Sequence, residues 1–148
     1  MIPVRHLSIP HVLQIHAMAT PSAIAVVAGE RKVCWADLIA RANQVANGLR
    51  LLGLAQGDRV ALLYDNSTEL LELILGTMIS GGVVVPLSGL MTDDVVRRMI
   101  TASGARFAFI QDRFAQRFAS ADGKLPTAHC FTQSGPPGWA DYESWVVA

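Results

Sequence analysis

The spacing of apolar residues changes several times along this chain, and each change marks an element. Leu38, Ala42, Val45, Ala46, Leu49 and Leu52 recur at helical spacing and form one stripe. Asp37 sits in the first turn of that helix, where a negative charge suits the positive end. Gly53 is a natural left-handed stop, with Leu54 folding back on the helix. After a turn at Gly57-Asp58 the pattern becomes an unbroken apolar run, Val60 to Leu63, which suits a strand buried on both faces. Asn66 and Glu69 have the spacing of a capping box for a helix that runs to Ser80 and is apolar nearly all round. Gly81-Gly82 ends it, and Val83 to Val85 predicts the next buried strand. Thr92 is placed to cap a further helix, with Asp93 and Asp94 in its first turn and Val95, Val96, Met99 and Ile100 on its inner face. Gly104 stops that helix and Phe107 to Ile110 reads as a strand.

The flanking segments are shorter. Ser8 can cap a helix that tolerates Pro10 in its first turn and ends before Pro21. Ala23 to Val27 and Lys32 to Trp35 read as two strands joined by a tight turn at Gly29-Glu30. Arg113 to Phe118 suggests a short helix, Ala128 to Phe131 a last strand, and Trp139 to Val147 a terminal helix. Ala119 to Pro126 and Gln133 to Gly138 read as loops. Strands alternating with helices predict an α/β fold: a mostly parallel sheet flanked by helices in Rossmann-like layers, preceded by a β-hairpin. At 148 residues the chain suits one domain, residues 1–148.

Composition narrows the function. Net charge is zero, and the ten arginines and two lysines are scattered, which argues against a nucleic-acid surface. The span from Leu70 to Leu87 carries one charge, Glu72, and is nearly long enough for a bilayer. The Gly81-Gly82 break, the β-branched Val83-Val84-Val85 and Pro86 favour a buried helix and strand over a membrane span. Cys34 and Cys130 are far apart in apolar stretches, as expected of buried thiols in a reducing cytosol, so the expected location is cytoplasmic. Arg5, His6 and Pro10 interrupt any signal peptide.

The chemistry-bearing motifs are sparse. No strand is followed by the glycine spacing of a dinucleotide fingerprint. Gly123-Lys124 lacks the rest of a P-loop, with Phe118 in place of its first glycine and Leu125 in place of its hydroxyl. In Phe131-Thr132-Gln133-Ser134-Gly135-Pro136-Pro137-Gly138 the prolines carry no amide hydrogen and no lysine follows, so it reads as a surface loop. His6, His11 and His16 lie five apart and point roughly 140° from one another on a helix, and His129 is distant, so no metal site is expected. Asp93-Asp94 reads as first-turn charge, and Trp35, Trp139 and Trp145 as packing residues.

Order and spacing of the ordinary elements carry more information. Pro21-Ser22-Ala23-Ile24-Ala25-Val26, Cys34-Trp35-Ala36-Asp37-Leu38, Asn43, Ala46, Gly57-Asp58-Arg59-Val60, Asn66-Ser67, Gly82-Val83-Val84-Val85-Pro86-Leu87 and Ser103-Gly104-Ala105 occur in series. Together they resemble the N-terminal subdomain of the AMP-forming acyl-CoA synthetase family, the AMP-dependent synthetases and ligases of the adenylate-forming superfamily. Cys34-Trp35 departs from the family's usual Thr-Tyr, and Ser88-Gly89 stands where many members carry Asn-Pro. The resemblance implies a larger ligase in which a carboxylate attacks ATP to give an acyl-adenylate, and coenzyme A then displaces AMP. It places the family's phosphate loop, Mg-binding glutamate and mobile lysine outside this chain, so no catalytic, cofactor-binding or metal-ligating residue is assigned. ATP, Mg and coenzyme A are implied for the full-length enzyme alone. Ser88-Gly89-Leu90 is the one segment expected near ligand. The expected partner is the rest of the ligase chain, with a homodimer through an exposed apolar face as a further expectation. A stand-alone interaction module derived from such a ligase is the alternative. A small nucleotide-binding protein of flavodoxin-like architecture is disfavoured by the missing glycine-rich loop.

Overall fold

The computed structural model describes residues 8–118, 125, 127–133 and 138–146. His6, Gly123-Lys124 and Ser134 to Pro137 lie outside the described residues. Helix α1 (Ile9–Ala19) is capped by Ser8, whose hydroxyl accepts from the His11 amide at 3.4 Å. Strands β1 (Ile24–Ala28) and β2 (Arg31–Cys34) form the expected antiparallel hairpin, turning at Gly29 with φ 60°. Helix α2 (Trp35–Leu51) follows, then β3 (Arg59–Leu63), α3 (Thr68–Ser80), β4 (Val83–Leu87), α4 (Asp93–Ser103) and β5 (Phe107–Ile110). The short α5 (Asp112–Ala115) runs into a 3-10 turn (Gln116–Phe118), and β6 (His129–Thr132), β7 (Ala140–Asp141) and α6 (Tyr142–Val146) complete the described fold.

Five strands make one parallel sheet in the order β4-β3-β5-β6-β7. Alternation along the strands sends Val60, Leu62, Phe107 and Phe109 to one face, where α2, α3 and α6 cover them. Ala61, Leu63, Ala108 and Ile110 face the other way, toward α4 and α5. The hairpin and α1 pack outside α2 and α3 around Val33, Leu38, Ala42 and Leu75. Helix α3 is enclosed by this arrangement, and none of its residues is exposed. That is why its sequence is apolar nearly all round.

Several expectations need correction. Strand β4 is not buried on both faces: it forms the sheet's edge, with Val83 and Pro86 exposed. An edge is where a proline can sit in a sheet. The α3 cap is Ser67 rather than Asn66; its hydroxyl accepts from the Leu70 amide at 3.2 Å, while Glu69 pairs with Arg31 at 2.7 Å. Thr92 starts α4 without a side-chain cap bond, and Val95 is exposed while Val96 and Ile100 are buried. The terminal helix is shorter than expected because Ala140–Asp141 pairs with β6 first. Cys34 and Cys130 are half-buried rather than buried.

Candidate functional site

The strand order locates the site. The chain leaves β3 toward β4 on one side, then crosses back to β5 on the other, so the connections diverge above the carboxyl ends of β3 and β5. In open parallel sheets ligands bind at such a switch point. A crevice of about 300 Å³ lies there, lined by Tyr64, Asp65, Asn66, Ser88, Gly89, Leu90 and Arg113. Ser88-Gly89-Leu90, the segment expected near ligand, is therefore on its wall.

Each wall has a local cause. Gln111 closes the gap between the two strand ends: its amide donates to Leu63 O at 2.9 Å, and its side-chain oxygen accepts from the Asp65 amide at 3.0 Å. The Asp65 carboxylate takes two bonds from the Arg113 guanidinium, both at 2.7 Å. Asp112, next to Gln111, accepts from the Thr132 hydroxyl and from the Gln133 amide at 2.8 Å, which ties the end of β6 to the same edge. The Tyr64 hydroxyl is buried and makes no hydrogen bond among the described residues. Burial, and then the Asp112 charge, pushes its phenol above the ordinary tyrosine range.

A second polar cluster lies on the sheet's other flank. Glu72 of α3 is 2% exposed, accepting from the Tyr142 hydroxyl at 2.8 Å and from Arg41 Nε at 3.1 Å. Arg41 Nη2 also donates to both carboxylate oxygens of Glu143, at 2.9 and 3.0 Å. Desolvation pushes the Glu72 carboxyl above its usual range, and the bonds from Tyr142 and Arg41 offset this only in part. Burial would lower the Arg41 value, but Glu72 and its neighbours outweigh that and raise it. This cluster joins α2, α3 and α6, and a buried carboxylate with both partners in place is a structural tie.

The remaining candidates fall into packing roles. His16 stacks on Trp35 at 5.5 Å and His129 on Phe107 at 5.2 Å. Among the described residues no three His, Cys, Asp or Glu side chains are placed to hold a metal ion. Asp93 pairs with Arg117. Trp145 lies over Gly48, and Trp139 packs against the α4–α5 core. An apolar groove of about 480 Å³ between α2 and α6, lined by Leu51, Leu52 and Trp145 among others, holds no ionisable side chain.

The crevice residues do not fit a nucleotide triphosphate unaided. Among the described residues, the cation lining the crevice, Arg113, is already paired with Asp65, and no glycine-rich run of backbone amides lines it.

Comparison with known proteins decides the family. A family model described as AMP-binding enzyme matches residues 13–144. The chain belongs to the AMP-binding enzyme family. Family relatives include a fatty acid–[acyl-carrier-protein] ligase, ScoC, of Streptomyces coeruleorubidus, 35% identical over 99 residues, covering 67% of this chain and 19% of that protein. The 3-hydroxybenzoate–CoA ligase of Aromatoleum sp. (strain CIB) is 34% identical over 101 residues, covering 68% of this chain and 19% of that protein. The fold overlays on the anthranilate CoA ligase AuaEII, solved with anthranoyl-AMP, with a TM-score of 0.86 and 23% identity over 93% of this chain and 27% of that one. It also overlays on the N-terminal domain of FACL13 from Mycobacterium tuberculosis, with a TM-score of 0.76 and 27% identity, covering 93% and 34%. The chain thus spans about a fifth of the length of these curated relatives, as the resemblance to an N-terminal subdomain implies.

Sequence reasoning missed Tyr64, Asp65 and Arg113 as crevice residues. The available signal was positional: each closely follows an apolar run, Val60 to Leu63 or Phe107 to Ile110. Which strand ends adjoin one another depends on strand order, and no local pattern encodes that.

Proposed function

We propose that these residues form the N-terminal part of an ATP-dependent, AMP-forming ligase that joins a carboxylic acid to a thiol such as coenzyme A. In that reaction a carboxylate oxygen bonds to the α-phosphorus of ATP, pyrophosphate leaves, and the thiol sulfur then takes the acyl group and releases AMP. The observation that carries the reading is the family match over residues 13–144 together with the overlay on about a quarter of a CoA ligase. In this reading the chain supplies scaffold and the switch-point crevice, and the remainder of the ligase supplies the groups that hold nucleotide, metal and thiol. The enzyme works in the cytoplasm on a fatty or other organic acid.

The test uses carboxylate-dependent exchange of pyrophosphate into ATP. The 148-residue chain alone is expected to show none. Residues 13–144, grafted in place of the matching segment of the Aromatoleum 3-hydroxybenzoate–CoA ligase, are expected to support exchange with that ligase's own acid. A folded graft without exchange would contradict the reading, as would exchange by the chain alone.

One observation favours a second reading, an interaction module. Helix α1 exposes Ile9, Val12, Ile15 and Met18, and β1 adds Ile24 and Val27. Such a face suits another protein surface, either the ligase body or a second copy. Self-association rising with concentration in sedimentation velocity supports the second copy, and a constant monomer contradicts it.

A further inference from the structure

The Ser88–Met91 segment is a turn in which the Met91 amide donates to Ser88 O at 3.1 Å and the Leu90 amide to Ser88 Oγ at 3.2 Å. Its tip, Leu90, is 97% exposed at the crevice mouth. An exposed turn with two local bonds would ordinarily be pliant. Here it is held from below. A Cβ built on Gly89 would lie 2.3 Å from Phe114 Cζ and 2.6 Å from Cε1. Phe114 is 5% exposed in the core beneath α4, and the guanidinium of Arg113 lies over its ring at 4.3 Å, so a shift of the ring would disturb that packing. Arg117 completes the hold, with Nη2 donating to Met91 O at 2.6 Å, Nη1 to Gly89 O at 3.4 Å and Nε to Asp93 at 2.6 Å. One guanidinium thus ties the turn to the first residue of α4. The same aromatic ring meets the glycine from the side facing the core.

We propose that Phe114 and Arg117 are positioning residues, which hold the Ser88–Met91 turn as a fixed wall of the switch-point crevice and present Leu90 to the bound acid. The proposal rests on the ligase reading above. Neither residue touches ligand; they act through the turn. Gly89 is required for close approach rather than for its backbone angle, since its φ is not positive.

The experiment has two arms. In the chain itself, amide hydrogen exchange is followed at Leu90 and Met91, with Phe107 to Ile110 as the internal control. Gly89→Ala and Arg117→Lys are each expected to speed exchange at the turn by about tenfold while leaving β5 unchanged. Phe114→Leu, which shortens the ring that Gly89→Ala would strike, is expected to restore slow exchange in the double variant. Unchanged exchange at the turn, or an equal rise in β5, overturns the fixed wall. In the grafted ligase, Arg117→Lys is expected to raise the KM for the acid by about fivefold with kcat within about twofold, a loss of binding common to ground and transition states. An active graft whose KM does not move overturns the positioning role while leaving the ligase reading intact. An inactive graft counts against the ligase reading, and the exchange arm alone then upholds or overturns the fixed wall.

Discussion

Two arginines on opposite faces of one sheet illustrate two uses of the same side chain. Arg41 meets carboxylates: it bridges exposed Glu143 and buried Glu72 and binds α2 to α3 and α6. Arg117 meets mainly carbonyl oxygens, those of Gly89 and Met91, and shapes a turn beside the crevice. The first arrangement takes a charge out of water, so its energy is large and depends on both partners being present. The second leaves its carbonyls neutral, so its effect is geometric and confined to a few residues. Removing a partner is therefore expected to cost global stability at the Arg41 cluster and to alter the form of the candidate site at Arg117.

The sharpest way to break this contrast is Arg41→Met. With Glu72 left 2% exposed and partnered only by Tyr142, we expect a loss of about 3 kcal/mol in urea unfolding at pH 8. Glu72→Gln in the same chain should recover much of that, because the uncompensated charge is gone. A loss under about 1 kcal/mol, or no recovery, would remove the distinction between the two faces. Next in size is Gly76→Ala on α3. Its Cβ would lie 2.5 Å from Val45 and 2.8 Å from the Ala42 carbonyl, and backbone cannot swing aside. The expected cost is about 2 kcal/mol, read as a lower midpoint with an unchanged urea slope.

The pH profile sharpens the comparison further. The folded Glu72 carboxyl sits above its usual value, so between the two values the native state holds a proton there that the unfolded chain has released. Its contribution is fully present below the ordinary glutamate value and is lost as pH rises through the raised one, with a slope of at most about 1.4 kcal/mol per unit. Glu69 and Asp58 are held below their usual values and contribute in the opposite direction, losing stability as pH falls. Subtracting the Glu72→Gln profile from that of the natural chain isolates the Glu72 part, and a flat difference would refute its shift. The smallest effect is at the crevice. Asp65 and Arg113 are 43% and 60% exposed, so Asp65→Asn should change stability by no more than about 0.5 kcal/mol, measured by the same unfolding curves.

The fold was legible because short-range signals agreed with it. Gly53, Gly81 and Gly104 each take positive φ at the helix stops where the sequence placed them, and β3 and β5 are the buried runs read from Val60 to Leu63 and Phe107 to Ile110. Edge position was not legible. Val83-Val84-Val85 has the same composition as a central strand, and its place in the sheet depends on which neighbours arrive later. The site was legible only at Ser88-Gly89-Leu90. Arg113, Phe114 and Arg117 read as a short helix with ordinary amphipathic spacing, and their reach across the turn needs 24 to 28 residues of intervening fold. The Glu72 tie was hidden for a similar reason: a lone acid in an apolar helix does not name a tyrosine 70 positions away.

The outer margin of β4 carries a consequence for colloidal behaviour. The Val83 amide donates inward to Asp58 O, so alternation turns the backbone nitrogens of Val84 and Pro86 toward open water. Pro86 has no hydrogen to offer, which leaves Val84 as the strand's outward donor. An invading chain would meet a ladder with a rung missing, so Pro86→Val is expected to make fibre growth along this rim easier.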